Sequence, residues 1–348
     1  MHHTTILTVD YHDQTCVVRS RRTGTGTEQV RSVPTAPDAL AQVVAQARRQ
    51  DGPAARVAWV QESTTGWARV QALLGGQVDF QLANVLQMPR PPKAHRKKTD
   101  KVDTARLQRE FLAGTLPLAH QPPAEVRQLR RLVAWRENLV NRRTALRNWI
   151  NRYLAHETWE DRRGLWSAVG QKRLRARLAG WPATDALVVR GKLDELDHLE
   201  GQLGQAEEAL RAAYRQSPEA QRLDAIRGIG EVAAVSIVAR IGPVGRFRSA
   251  EQLIAFAGLA PGVQQSDQTR RDGRIGGGGT DRHLRHYLIE ASVWARQLPR
   301  YRATYERVER RRGKKVGRLV VARLLLRSIY KVLRDGVAFA PSAAPAGG

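Results

Sequence analysis

The sequence predicts a mixed fold: an α/β domain first, then a long helical middle, then a mainly helical C-terminal domain. Three observations carry this. Short β-branched runs alternate with helical periodicity up to about residue 87. Two long stretches between 124 and 214 keep an alternating 3–4 apolar spacing. After Pro218, short helical segments are separated by glycine-rich turns. The expected divisions are 1–120, 121–217 and 218–339, with APSAAPAGG at 340–348 as a disordered tail.

In order, ILTVD (6–10) reads as a buried strand and TCVVRS (15–20) as a second, with a turn and third strand in RTGTGTEQV. Thr35 is placed to cap a helix from Pro37 to Gln50, whose Leu40, Val43, Val44 and Ala47 share one face. ARVAWVQE (55–62) is a strand, a helix follows through Trp67, Val70 and Leu74, and QVDFQLA (77–83) is another strand. MPRPPKAHRKK (88–98) breaks regular structure and reads as a basic loop.

One helix is predicted from Ala124 to His156, with Leu132, Trp135, Leu139, Leu146, Trp149 and Tyr153 as its seam. A second runs from Thr184 to Tyr214 through Leu196, Leu199, Leu203, Ala206, Leu210 and Ala213. The first is rich in Arg and the second in Asp and Glu, so the two are expected to pair as a coiled-coil arm, within one chain or between chains. An ordinary helical bundle is the alternative. In the C-terminal part, LDAIRGIGEVAAVSIVARIG reads as helix, Gly-Ile-Gly turn, helix, and further helices are expected at 249–258, 281–296 and 316–335.

The chain has 58 Lys and Arg against 33 acidic residues, a formal charge of +25. That excess points to a polyanionic partner, nucleic acid first. A membrane surface is the weaker choice, because LVVARLLL (319–326) is short and interrupted by Arg323. MHHTTILTVD lacks the basic and apolar regions of a secretion signal. The lone Cys16 fits a reducing, cytoplasmic setting, expected here to be nucleoid-associated.

Inside the basic stretch around Arg96, Lys97 and Lys98 lie two acids, Asp100 and Asp103, one helical turn apart. Like charges at that spacing repel. Helix capping and the macrodipole explain first-turn acids in general. Asp10 and Glu62 add two more carboxylates at the ends of predicted strands. Four clustered carboxylates cannot all stay ionised without cations, and hard divalent metals such as Mg²⁺ take oxygen ligands. Two such ions about 4 Å apart can align attacking and leaving oxygens at a phosphate.

Asp on a first strand, Glu on a later one and Asp-x-x-Asp on a helix resembles the RuvC-like, ribonuclease-H-like nuclease fold. More narrowly, the chain resembles the DEDD-type insertion-sequence transposases, recombinases that use a bridge RNA and carry a serine in their C-terminal domain. The matching pieces are LTVD, QESTTGW, KKTDKVDTARL, IRGIGEVAAVSIVARIG, FRSAEQLIAFAGLAPGVQQS, RHLRHYLIEA and GKKVGRLVVARLLLRSIYKVLRDGVAF, in order over nearly the full length.

The resemblance implies DNA strand cleavage and transfer, with Asp10, Glu62, Asp100 and Asp103 as the Mg²⁺ site and Ser266 as the nucleophile. It also implies donor and target DNA, a bridge RNA and a homodimer or homotetramer. Three departures stand out: Asp267 follows Ser266 where the family has glycine, Tyr-His-Asp follows Asp10, and Gly66 comes one place late after Glu62.

AIRGIGEVAA resembles a helix-hairpin-helix, in which Gly228 and Gly230 would let backbone N–H groups reach a phosphate. A tight turn between packed helices explains the same glycines. Arg270, Arg271 and Arg274 flank the IGGGGT loop and are candidate phosphate contacts, as is the block Arg310, Arg311, Arg312, Lys314 and Lys315. Two other functions stay open on these residues: a metal-dependent nuclease that hydrolyses branched DNA with water, and a non-enzymatic basic protein that binds nucleic acid.

Overall fold

The computed structural model describes residues 3–52, 54–88, 100–157, 162–260, 262–266, 269–273 and 279–341. The chain forms two compact units, Met1–Gln121 and Pro122–Gly348.

The first unit is built on a five-stranded sheet of β1 (Thr5–Tyr11), β2 (Thr15–Arg22), β3 (Glu28–Pro34), β4 (Val57–Glu62) and β5 (Asp79–Ala83), in the order β3-β2-β1-β4-β5. β1 to β3 form an antiparallel meander, while β4 runs parallel to β1 and β5 parallel to β4. β1 is central and covered on both faces, which explains its nearly continuous apolar run. On one face Leu7, Val9, Tyr11 and Trp59 pack with α1 (Pro37–Asp51) and α2 (Trp67–Leu74). On the other, Ile6, Ala58 and Val60 meet Phe111 of α3 (Asp100–Leu112). Cys16 is fully buried, and burial pushes its thiol up to about 11, so it stays protonated at neutral pH.

One expected cap is not made. Ala36, not Thr35, is the N-cap of α1, and it offers no side-chain bond. The Thr35 hydroxyl instead donates to the His12 carbonyl at 2.8 Å, tying the start of α1 to the end of β1.

In the second unit, α4 (Ala124–Glu157) and α6 (Ala183–Arg215) pack against each other within the chain. Arg136 pairs with Glu207 at 2.8 Å and Arg147 with Glu200, so the helices run antiparallel. Their buried seam uses Leu139, Leu146, Ile150 and Leu154 against Val189, Leu193, Leu196, Leu199, Leu203 and Ala206. Trp135, expected in the seam, is 41% exposed. Straight helices drift by about 20° per heptad from a strict 3.5-residue repeat, so the covered stripe moves to a neighbouring row. Between the two, α5 (Ala168–Arg177) adds Leu174 to the same core.

The rest of this unit is a second core made by α7 (Pro218–Asp224), α8 (Glu231–Ile241), α9 (Ala250–Phe256), α10 (Arg282–Ala295) and α11 (Pro299–Asp335), joined by Val133 and Leu210 from the arm helices. A two-stranded antiparallel ribbon, β6 (Gly262–Ser266) and β7 (Thr269–Gly273), lies between α9 and α10 where the sequence suggests only a polar loop.

α11 is not one rod. Gly313 sits at φ 82°, ψ 166°, and the chain folds back there. The Tyr301 hydroxyl donates to Ser328 Oγ at 2.7 Å although the residues are 27 positions apart; on a straight helix they would be about 40 Å apart. Tyr305 lies flat against Gly317, where an added Cβ would sit 2.9 Å from its ring. Residues 299–312 and 314–335 are therefore the two arms of an antiparallel hairpin. Gly313 has open space around it, so only its backbone restricts substitution. Gly313→Ala is expected to cost about 1–3 kcal/mol, because that φ/ψ region is nearly glycine-only. A thermal melt should fall by roughly 5 °C.

Candidate active site

The sheet register assembles an acidic cluster within the first unit. Val9 of β1 pairs with Gln61 of β4, so Asp10 and Glu62 stand level at the C-terminal ends of neighbouring parallel strands. Side chains alternate along a strand, so Ile6, Thr8 and Asp10 share the face that Ala58, Val60 and Glu62 share, the face covered by α3. On α3, Thr104, Leu107 and Gln108 are buried against the sheet. Asp100 and Asp103 continue that face one turn towards the N-terminus. The helix that covers the sheet thus delivers two carboxylates to the strand ends.

Ligand atoms of Asp10, His12 and Asp100 all lie within 4.8 Å of one another. His12 Nε2 is 3.6 Å from an oxygen of each aspartate. The Asp10 carboxyl is held above its ordinary value. Burial is the main cause, with His12 opposing it and the charges of Asp100 and Asp103 adding to it. Glu62 and Asp103 are outside that close trio, with Asp103 acting on Asp10 through its field. The Asp10 and Asp100 oxygens with one imidazole nitrogen between them suit a divalent cation.

His12 is the site residue that the sequence reading missed. Tyr-His-Asp is visible in the sequence only as a departure from the family pattern, yet His12 directly follows the end of β1 and so lies close to Asp10. The late glycine also has a physical reason. Gly66 is at φ 86°, and a Cβ there would come within 2.4 Å of the Tyr11 ring. Tyr11 lies under the turn that follows Glu62, and its hydroxyl accepts a hydrogen bond from Arg69 at 2.6 Å.

In the second unit, Ser266 ends β6, its backbone paired with Thr269 across the ribbon. Arg271 and Arg270 on β7 pair with Gln264 and Gln265. The segments on either side of the ribbon are tied to their surroundings. Asp281 N–H donates to the Phe256 carbonyl at 2.7 Å, and Arg323 donates to the Leu259 carbonyl. Gly258, at φ 68°, packs so tightly on Thr280 that a Cβ would lie 2.7 Å from its hydroxyl. Asp281 also caps α10 and pairs with Arg240 at 2.8 Å. Arg96, Lys97, Lys98, Asp267 and Arg274 lie outside the described residues.

Gly228 and Gly230 separate α7 from α8. Gly228 is at φ 97°, and a Cβ would lie 2.8 Å from the Ala291 carbonyl of α10. Close helix packing therefore demands this glycine whatever else the turn contacts. Gly230 is exposed, with open space around it, and is the N-cap of α8.

Comparison with known proteins places these features in two recognised regions. Residues 8–157 match the DEDD transposase domain of the IS110 group, and residues 220–306 match the domain described as the transposase IS116/IS110/IS902 family. The first holds Asp10, Glu62, Asp100 and Asp103, and the second holds Ser266.

Among curated proteins, the chain is similar to a transposase for insertion sequence element IS1111A of Coxiella burnetii. That match is 28% identical over 49% of this chain and 47% of the relative. It is also 31% identical to a probable family 20 transposase of Pseudomonas aeruginosa, over 45% and 47% of the two chains. A putative transposase of Sinorhizobium fredii is 26% identical over 78% and 71%. The chain spans about half the length of the first two relatives. It thus carries IS110/IS116-type transposase domains, and the DEDD domain implies a divalent metal.

Proposed function

We propose that this protein is an insertion-sequence transposase that cuts and rejoins DNA through a phosphoserine intermediate at Ser266. Asp10, Glu62, Asp100 and Asp103 would hold Mg²⁺, with His12 beside Asp10 and Asp100. The observation that carries the reading is the meeting of Asp10 with Asp100 at the strand ends of a domain of DEDD transposase type. A bound divalent cation would neutralise charge at the scissile phosphate and polarise it for attack.

The chain's own part is positional. The parallel pairing of β1 and β4 sets Asp10 level with Glu62. Ser266 ends a short antiparallel ribbon, and Phe256 and Asp281 on its two flanks are joined by a backbone hydrogen bond. In the proposed step the Ser266 oxygen bonds to phosphorus as one phosphorus–oxygen bond breaks. The leaving strand end takes up a proton as its hydroxyl forms, balancing the one the serine gives up. Attack by a hydroxyl of the incoming strand reverses this, so the phosphodiester energy is conserved. Donor and target choice is assigned to a bridge RNA, with a homodimer or homotetramer as the working form. The support is the charge of +25 and the ordered family pattern.

The test is recombination between paired donor and target plasmids expressed with the native flanking DNA. Asp103→Asn and Ser266→Ala are each expected to abolish product. If both variants recombine at the wild-type level, the mechanism is wrong.

A further inference from the structure

The fold-back of α11 collects five cations, Arg310, Arg311, Arg312, Lys314 and Lys315, at the tip of the hairpin around Gly313. All five are exposed, and none makes an ion pair with a described residue. The nearest hairpin acid whose ion pair is seen, Glu306, is taken by Arg302 at 2.9 Å. The arms are clasped behind the tip by Tyr301 on Ser328 and by Tyr305 on Gly317, so the charges stand on a rigid support.

Helix stability explains only part of this charge. Arg310, Arg311 and Arg312 close the first arm, and cations are favoured at a helix C-terminus. Lys314 and Lys315 open the second arm, where the dipole's positive end disfavours them. Adjacent like charges at a tight turn repel further. A tip that is unfavourable for folding, rigid, solvent-facing and uniformly cationic fits an external polyanion.

From this we propose that the Arg310–Lys315 tip is a contact surface for the phosphate backbone of duplex DNA, an inference that rests on the transposase reading for its choice of DNA. The tip has no exposed aromatic to stack on unpaired bases, and its side chains are pure donors without acceptors, the chemistry of backbone contact rather than base readout. Two helices side by side exceed the roughly 12 Å major groove, so the tip would cross the backbone instead of entering the groove.

The experiment measures binding of the full chain to duplex DNA in EDTA across a salt series. The probes are a labelled DNA duplex, the matching RNA duplex and a single strand. Changing all five residues to Gln is expected to weaken duplex DNA binding at least about tenfold. It should also flatten the log–log salt slope by about 4 to 5, since each phosphate left unneutralised removes about 0.9. The charge-keeping variant Arg310→Lys, Arg311→Lys, Arg312→Lys is expected to retain the wild-type slope. Lys314→Gln with Lys315→Gln removes two charges that oppose the dipole. That variant should fold at least as well as wild type while losing about 2 from the slope.

Wild-type slope and affinity in either Gln variant would overturn the proposal, as would a loss confined to the RNA probe. These outcomes are separate from failure of the transposase reading, which would show as wild-type protein that binds duplex DNA with its tip yet forms no recombinant.

Discussion

Asp10→Asn is expected to reduce Mg²⁺-dependent DNA cleavage by about a thousandfold or more, roughly 4 kcal/mol of barrier. It should also raise thermal stability in EDTA. The sign follows from the environment. Asp10 has a pKa above its ordinary 3.8 because burial and the Asp100 and Asp103 charges disfavour its ionised form. Between the ordinary and the raised value, the folded chain binds more protons than the unfolded one. Stability therefore falls as pH rises through that window, and the full penalty remains at neutral pH. Asn removes the charge and the penalty. In wild type, added Mg²⁺ should raise the melting temperature by binding only the folded form. The variant should lose that rise. A lower melting temperature in EDTA for the variant would mean that Asp10 is structural.

Trp59→Ala should be the most damaging change in the first unit. Trp59 is fully buried in β4, three residues before Glu62, and its register partners are Leu7 of β1 and Phe80 of β5. Its indole N–H donates to the Gln61 side-chain oxygen at 3.1 Å. Truncation leaves a large cavity and an unpaired buried oxygen, about 3–5 kcal/mol in all. Circular-dichroism melts should show a loss of roughly 10–20 °C. Trp59→Phe keeps most of the volume and should recover over half of that loss. The Mg²⁺-dependent rise should also weaken in the Ala variant, because β4 holds Glu62 level with Asp10.

Local pattern makes much of this molecule legible. The strands around Asp10 and Glu62 and both arm helices follow from apolar runs and periodicity, while the helix carrying Asp100 and Asp103 rests on their spacing and the family pattern. Other features depend on long-range pairing that local pattern does not encode. Nothing local specifies that Val9 meets Gln61, yet that register sets Asp10 and Glu62 level at the ends of neighbouring strands.

The first arm of the C-terminal hairpin escapes a sequence reading because its buried anchors are Tyr301 and Tyr305 within a strongly charged stretch. The ribbon bearing Ser266 reads as a loop because GVQQS and TRRDG lack a clear strand pattern and are joined by backbone pairing. Thr35 has the chemistry of a cap, but the end of β1 offers a competing partner in the His12 carbonyl.

The most direct test of the central claim is a denaturing gel. The protein is expressed with its native flanking DNA, then incubated with labelled donor DNA and Mg²⁺ beside Ser266→Ala. A labelled band at protein mass in the wild type, absent from Ser266→Ala, is the result expected of a serine transposase. Cleaved DNA with free ends and no protein-linked band would contradict it and assign the metal site to hydrolysis by water.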